Sequence, residues 1–132
     1  MGVAYYTSPE NLCIMYANPP KKWPIMQSFK QCSLTDALQK IQAGTVCLFD
    51  VRDDAAYSAN HIPSAVNVNP GNLDKVAASV DKSAPVIVYC YHGNSSKAYA
   101  QHFVDNGFSE VYSLDGGFEA WRQTYTDHCT NA

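Results

Sequence analysis

Hydrophobic and polar positions along this chain alternate between two spacings. Short apolar runs fall at Val46-Cys47-Leu48-Phe49-Asp50-Val51, Ala65-Val66-Asn67-Val68, Pro85-Val86-Ile87-Val88-Tyr89 and Glu110-Val111-Tyr112-Ser113-Leu114. The first and third read as buried strands of the kind found in parallel sheets, and the second and fourth as further short strands. Ser28-Phe29-Lys30-Gln31-Cys32 reads as a short edge strand. Helical spacing lies between the runs. Leu34, Ala37, Leu38 and Ile41 form one stripe at i, i+3, i+4, i+7. Ser33 sits at the N-cap position with Asp36 three residues on, and Gly44 stands where a C-cap glycine belongs. Further helices are predicted over 53–58, over 72–80 (Leu73, Val76, Ala77 and Val80 on one face), over 96–106 before Gly107, and over 118–124 after the Gly116-Gly117 turn. In the last of these, Trp121 and Phe118 share the inner face, and His61 and Pro63 read as turn elements. Regular alternation of strand and helix predicts an α/β fold, a parallel sheet covered on both faces by right-handed crossovers.

The first 27 residues break the pattern. They hold Pro9, Pro19, Pro20 and Pro24, which favour extended or turn structure, and they show no clean period. They also carry Tyr5, Tyr6, Leu12, Ile14, Met15, Tyr16, Trp23, Ile25 and Met26, too apolar a set for a solvated tail. The expected organisation is an N-terminal extension over 1–27, a domain over 28–124 and a C-terminal tail over 125–132. The apolar extension is expected to pack as an arm on the domain or on a second subunit, which would make a homodimer.

Composition narrows the function classes. With 132 residues, 46% apolar and 16% charged, the chain can bury a core and is not a disordered segment. The net charge is −3 and Lys21-Lys22 is the lone basic pair, which argues against nucleic acid or an anionic membrane as partner. No apolar run reaches the length of a membrane span, and no signal peptide is evident. Cysteines number five, Cys13, Cys32, Cys47, Cys90 and Cys129, with no C-x-x-C pair. That argues against a metal site or a disulfide framework and fits a reducing, cytoplasmic compartment. Cys47 and Cys32 read as core. Cys13 and Cys129 read as surface or terminal, Cys129 in a frayed tail.

The chemistry concentrates at Cys90-Tyr91-His92-Gly93-Asn94-Ser95-Ser96-Lys97. A cysteine ends a buried strand, in a polar loop that opens a helix. Open α/β sheets bind ligands at that edge. Loop amides and a helix N-terminus favour an anion there and lower a thiol's pKa. Gly93 and Asn94 tolerate positive φ, and Ser95 or Ser96 can cap the helix. The plainer reading leaves Cys90 as a small apolar strand end.

Three segments together resemble the rhodanese family: Asp50-Val51-Arg52 with Tyr57 and His61-Ile62-Pro63-Ser64-Ala65; the loop beginning at Cys90; and Asp115-Gly116-Gly117-Phe118-Glu119-Ala120-Trp121. The resemblance covers residues 28–124, and the loop is of the type carried by the short single-domain thiosulfate sulfurtransferases. It implies a rhodanese-like single domain with a central, mostly parallel five-stranded sheet. It also implies transfer of a sulfane sulfur through a persulfide on catalytic Cys90, with no cofactor and no metal. The implied substrates are thiosulfate and a thiophilic acceptor: cyanide, a thiol or a thioredoxin-like protein. Tyr91, His92, Gly93, Asn94, Ser95, Ser96 and Lys97 become substrate-binding candidates. His92 and Lys97 can equally be solvated, Asn94 can shape the loop, and the serines can serve as caps. Asp50 and Arg52 are expected near the site, holding the strand-end loops. Where many members have glycine this chain has Asn60 and Ser64, and Tyr91 replaces an arginine common next to the cysteine. Two other readings remain: a persulfide carrier or module docking to a protein partner, and a phosphatase of the same fold. A phosphatase needs Cys-x5-Arg, and Ser96 holds the arginine position.

Overall fold

The computed structural model describes residues 28–132 in full and, of residues 1–27, the backbone of two strands alone. These strands, β1 (Ala4–Thr7) and β2 (Cys13–Tyr16), pair antiparallel with Ala4 opposite Tyr16. The packing expected of the apolar arm, and the surroundings of Cys13, lie outside the described residues.

The elements that follow are β3 (Lys30–Cys32), α1 (Leu34–Ala43), β4 (Cys47–Asp50), α2 (Asp54–Ala59), β5 (Val66–Asn67), α3 (Leu73–Ser79), β6 (Val86–Tyr89), α4 (Ser95–Asp105), β7 (Val111–Leu114) and α5 (Gly117–Thr124). The strands form one sheet of five in the order β3-β7-β6-β4-β5, and every pairing is parallel. β6 is central, and all four of its residues are buried. Its side chains alternate between faces as the period of two requires. Ile87 and Tyr89 enter one core with Leu48, Leu114, Phe118 and Trp121, over which Leu34, Leu38 and Ile41 of α1 pack. Val86 and Val88 enter the other with Ala77 of α3 and Ala100, Phe103 and Val104 of α4. Helices therefore cover both faces, as the alternating pattern predicts.

Local signals act as the sequence suggests. Ser33 Oγ accepts the Asp36 N–H at 3.1 Å, and Gly44 closes α1 with φ +79°. A cap of this kind contributes about 1 kcal/mol to its helix. The tail departs from expectation. Residues 126–128 form a 3-10 turn, Thr130 and His61 exchange backbone hydrogen bonds at 2.7 and 2.8 Å, and Trp121 Nε1–H donates to His128 O at 3.0 Å. Cys129 is thus pinned and half-buried and not frayed. The sequence lacks a periodic signal there because the tie is made by backbone groups and a distant indole.

Because the strands are parallel, their carboxyl ends share one edge. The chain leaves β4 toward β5 and leaves β6 toward β7, so the winding reverses between two adjacent strands. Such a switch point opens a crevice at the carboxyl edge. Asp50 ends β4 there, and Cys90 follows the last residue of β6. Among the described residues, no helix is long and apolar enough to cross a membrane.

Candidate active site

Cys90 is 3% exposed at this carboxyl edge. The chain turns sharply after it, at Gly93 with φ +91°. That turn aims the Gly93 N–H at Cys90 Sγ, 3.2 Å away. A side chain at Gly93 would meet Gly116 N at 3.2 Å and Leu114 O at 3.3 Å, so the loop is packed against the end of β7.

Helix α4 starts at Ser95, with Asn94 at its N-cap in a right-handed conformation (φ −95°, ψ −58°) and no side-chain cap bond. Neither serine caps, and Asn94 is not left-handed, contrary to the sequence reading. Gly93 alone supplies the positive φ, which frees Asn94. Ser96, fully buried, turns its hydroxyl inward, 3.4 Å from Cys90 Sγ and 2.8 Å from Ser113 Oγ on β7. An uncapped first turn leaves N–H groups for an anion.

These contacts set the acidity of the thiol. Burial pushes the Cys90 pKa up, but hydrogen bonds from the Ser96 hydroxyl and from the Ser96, Gly93 and His92 amides outweigh it, and the net shift is downward. Cys32 goes the other way, to about 11, through burial and the nearby Asp36 carboxylate. Burial likewise raises Cys47 and Cys129. Among the described cysteines, Cys90 is the one tuned toward thiolate, the nucleophilic form.

The other candidates divide between rim and frame. His92, Asn94, Ser95 and Lys97 are exposed on the rim, while Gly93 and Ser96 are buried beside the sulfur. The Tyr91 hydroxyl donates to Asp53 at 2.6 Å, and its ring lies 5.6 Å from the Arg52 guanidinium. Its side chain thus joins the strand-end frame. Arg52, 5% exposed, grips Asp50 through Nε at 3.1 Å and Nη2 at 2.7 Å, and donates to Asn60 O at 2.6 Å. Its guanidinium also stacks 4.2 Å from the Phe118 ring. Asp50 and Arg52 thereby tie the ends of β4, α2 and α5 together.

Helix α5 closes the floor. The Phe118 N–H donates to Cys90 O at 2.8 Å and the Glu119 N–H to Tyr91 O at 3.0 Å. The approach demands a missing side chain: at Gly117, φ +64°, a Cβ would lie 2.5 Å from Tyr91 O and 2.6 Å from Cys90 O. Gly117→Ala is expected to displace the cysteine loop. Loss of about 10²-fold in kcat/KM is the expected scale for a displacement near 1 Å, alongside the ~1–2 kcal/mol of a left-handed non-glycine residue. Steady-state kinetics with a thermal melt check this, and an unchanged kcat/KM would contradict it. Sequence reasoning placed these glycines in a turn but missed their contact with the loop, and it missed Ser113.

The family model for the Rhodanese-like domain matches residues 33–124. The chain belongs to the rhodanese family. Two curated relatives, the thiosulfate sulfurtransferases GlpE of Coxiella burnetii strains RSA 331 / Henzerling II and CbuG_Q212, are 44% identical over 94 residues, covering 71% of this chain and 88% of theirs. The rhodanese fold extends to solved structures. The rhodanese-related protein of Thermoplasma volcanium superimposes with a TM-score of 0.64 at 20% identity, over 73% of this chain and 93% of that one. The rhodanese-like domain of the Alr3790 protein of Anabaena sp. gives 0.64 at 25% identity, over 71% and 74%.

Proposed function

We propose that this protein carries sulfane sulfur from thiosulfate to a thiophilic acceptor through a persulfide on Cys90. It is a sulfurtransferase of the rhodanese family. The observation that carries the mechanism is the Cys90 thiol at the carboxyl edge of β6, bonded by the Gly93 amide and the Ser96 hydroxyl and tuned toward thiolate.

The chemistry divides into two displacements. Cys90 thiolate attacks the outer sulfur of thiosulfate; the S–S bond of thiosulfate breaks, and sulfite leaves with the electron pair. The persulfide now carries the negative charge on its outer sulfur. An acceptor such as cyanide attacks that sulfur, thiocyanate forms, and the Cys90 thiolate is restored. No general base is required when the attacking species is the thiolate, the form that the hydrogen bonds to Cys90 favour. The uncapped first turn of α4 and the loop amides favour the anionic species. Lys97 on the rim is a cationic side chain that can draw in the dianion, and His92 beside it can donate a hydrogen bond to it. The relatives named as thiosulfate sulfurtransferases support thiosulfate as donor. Free thiols at Cys32, Cys47, Cys90 and Cys129 favour a reducing compartment such as the cytoplasm. A phosphatase reading lacks its arginine, since Ser96 occupies that position and faces the sulfur.

Intact-mass analysis after thiosulfate alone, followed by addition of cyanide, tests the scheme. A gain of about 32 Da, one sulfur atom, that disappears as thiocyanate forms is the expected result. A stable gain without turnover would transfer the function to a carrier with a protein partner. No gain at all would sink the persulfide.

A further inference from the structure

The hydrogen-bonded chain behind Cys90 does not end at Ser96. Ser113 lies on β7, paired in register with Val88 of β6, two residues before the cysteine. It is 2% exposed, and Val111 and Leu114 of the same strand are core residues. A hydroxyl at such a position costs free energy unless it is bonded. Its side-chain partner is Ser96 Oγ at 2.8 Å, and Ser96 in turn reaches Cys90 Sγ at 3.4 Å. Three buried groups, from β7, α4 and the loop after β6, thus form one line, and the line ends on the sulfur.

Resting on the reading that Cys90 is the nucleophile, we propose that Ser113 is a positioning residue for it. The Ser113 hydroxyl donates to Ser96 Oγ and so commits the Ser96 proton to the sulfur. A thiolate can only accept, so its formation fixes both donors in one direction: Ser113 O–H to Ser96, Ser96 O–H to Sγ. Each bond in such a chain polarises the next. With a neutral sulfur the same two hydroxyls can reverse, Sγ–H donating to Ser96 and Ser96 to Ser113. In the persulfide the charge sits on the outer sulfur and the grip on Sγ relaxes. The relay therefore favours Sγ as a thiolate, which is its state before it attacks thiosulfate and as it leaves the transferred sulfur. A better-stabilised thiolate leaves faster. Ser113 therefore acts on the release of sulfur and on the ionised fraction of the empty enzyme, and leaves thiosulfate binding untouched.

Other titratable and charged groups stand around this edge: His92 in the loop, Lys97 in α4, the Asp50–Arg52 pair at the end of β4, Asp115 after β7, and Glu119 paired with Arg122 in α5. The largest influences on the Cys90 thiol are burial and the hydrogen bonds from Ser96, Gly93 and His92. A relay that ends on Ser96 therefore acts on the strongest of the influences that favour thiolate.

The test is the pH profile of iodoacetamide alkylation, read on the Cys90 peptide by mass spectrometry in the full chain. It needs no sulfur transfer, so it stands or falls apart from the proposed reaction. Ser96→Ala is expected to raise the midpoint by about one pH unit and Ser113→Ala by about half a unit. Ser113→Thr, which keeps the hydroxyl, is expected to match the wild type. In a Ser96→Ala background, Ser113→Ala should produce no further shift, because the line is already cut. With thiosulfate and saturating cyanide, Ser113→Ala should lower kcat severalfold. If Ser113→Ala does not fold, Ser113→Cys keeps the volume with a weaker donor and should also raise the midpoint. A midpoint equal to wild type in Ser113→Ala, or the same shift with and without Ser96, would overturn the proposal.

Discussion

Cys90→Ser is expected to retain the fold and to lose sulfur transfer to background. The replacement oxygen occupies nearly the same space and meets the same two partners, the Gly93 N–H and the Ser96 hydroxyl. Burial of one hydroxyl in place of one thiol, with hydrogen bonds available, should move stability by about 1 kcal/mol or less. The chemistry cannot survive the same change. A serine hydroxyl stays protonated at neutral pH in this site, since its partners among the described residues, the Gly93 N–H and the Ser96 hydroxyl, are no base for the proton. It also cannot hold a sulfane sulfur. Thiocyanate formation should therefore fall by at least about 10³-fold, and the ~32 Da adduct should vanish. Serine at Cys47, half-buried with its thiol pushed up by burial, should leave turnover intact. Paired thermal melts and turnover assays decide the matter: a folded Cys90→Ser protein with wild-type turnover would remove Cys90 from the reaction.

Arg52→Ala is expected to cost more stability than any other single change at the crevice. The guanidinium is the counter-charge to a fully buried Asp50, and it also fills the space against Phe118. Removing one member of a buried pair leaves the other charge uncompensated, at a cost of about 3–5 kcal/mol. Loss of the bond to Asn60 O and of the stacking adds to this. A domain of this size has about 5–15 kcal/mol in total, so the variant should be marginal at 37 °C. A double change, Asp50→Leu with Arg52→Met, removes both charges together and should cost clearly less than the sum of the single losses. Chemical denaturation of the three variants checks this. Strict additivity would show that the two side chains stabilise the crevice independently.

Most of the architecture was legible in the chain because burial and period act locally. The unbroken run Val86–Tyr89 could only be a strand covered on both faces, and the stripe from Leu34 to Ile41 could only face a core. The position of Cys90 was legible for the same reason, as a cysteine between a strand and a helix. What escaped the sequence depends on contacts between distant segments. Asn94 and Gly93 both tolerate the left-handed region, and only the packing of the loop against Leu114 and Gly116 selects Gly93. Ser96 looks like a helix cap until β7 places Ser113 beside it. Tyr91 looks like a substrate contact until α2 presents the carboxylate of Asp53 to it. The docking of the tail on His61 is a pairing of backbone groups, which side-chain patterns do not encode.

The donation of two α5 amides to the carbonyls of Cys90 and Tyr91 also bears on how the protein breathes. The loop cannot lift from the sheet without parting from a helix whose Trp121 is fully buried. Opening at Cys90 should then approach the rarity of global unfolding, and Phe118 and Glu119 should be among the slowest amide protons to exchange with deuterium. The crevice would be rigid by construction, and any acceptor would have to come to the sulfur.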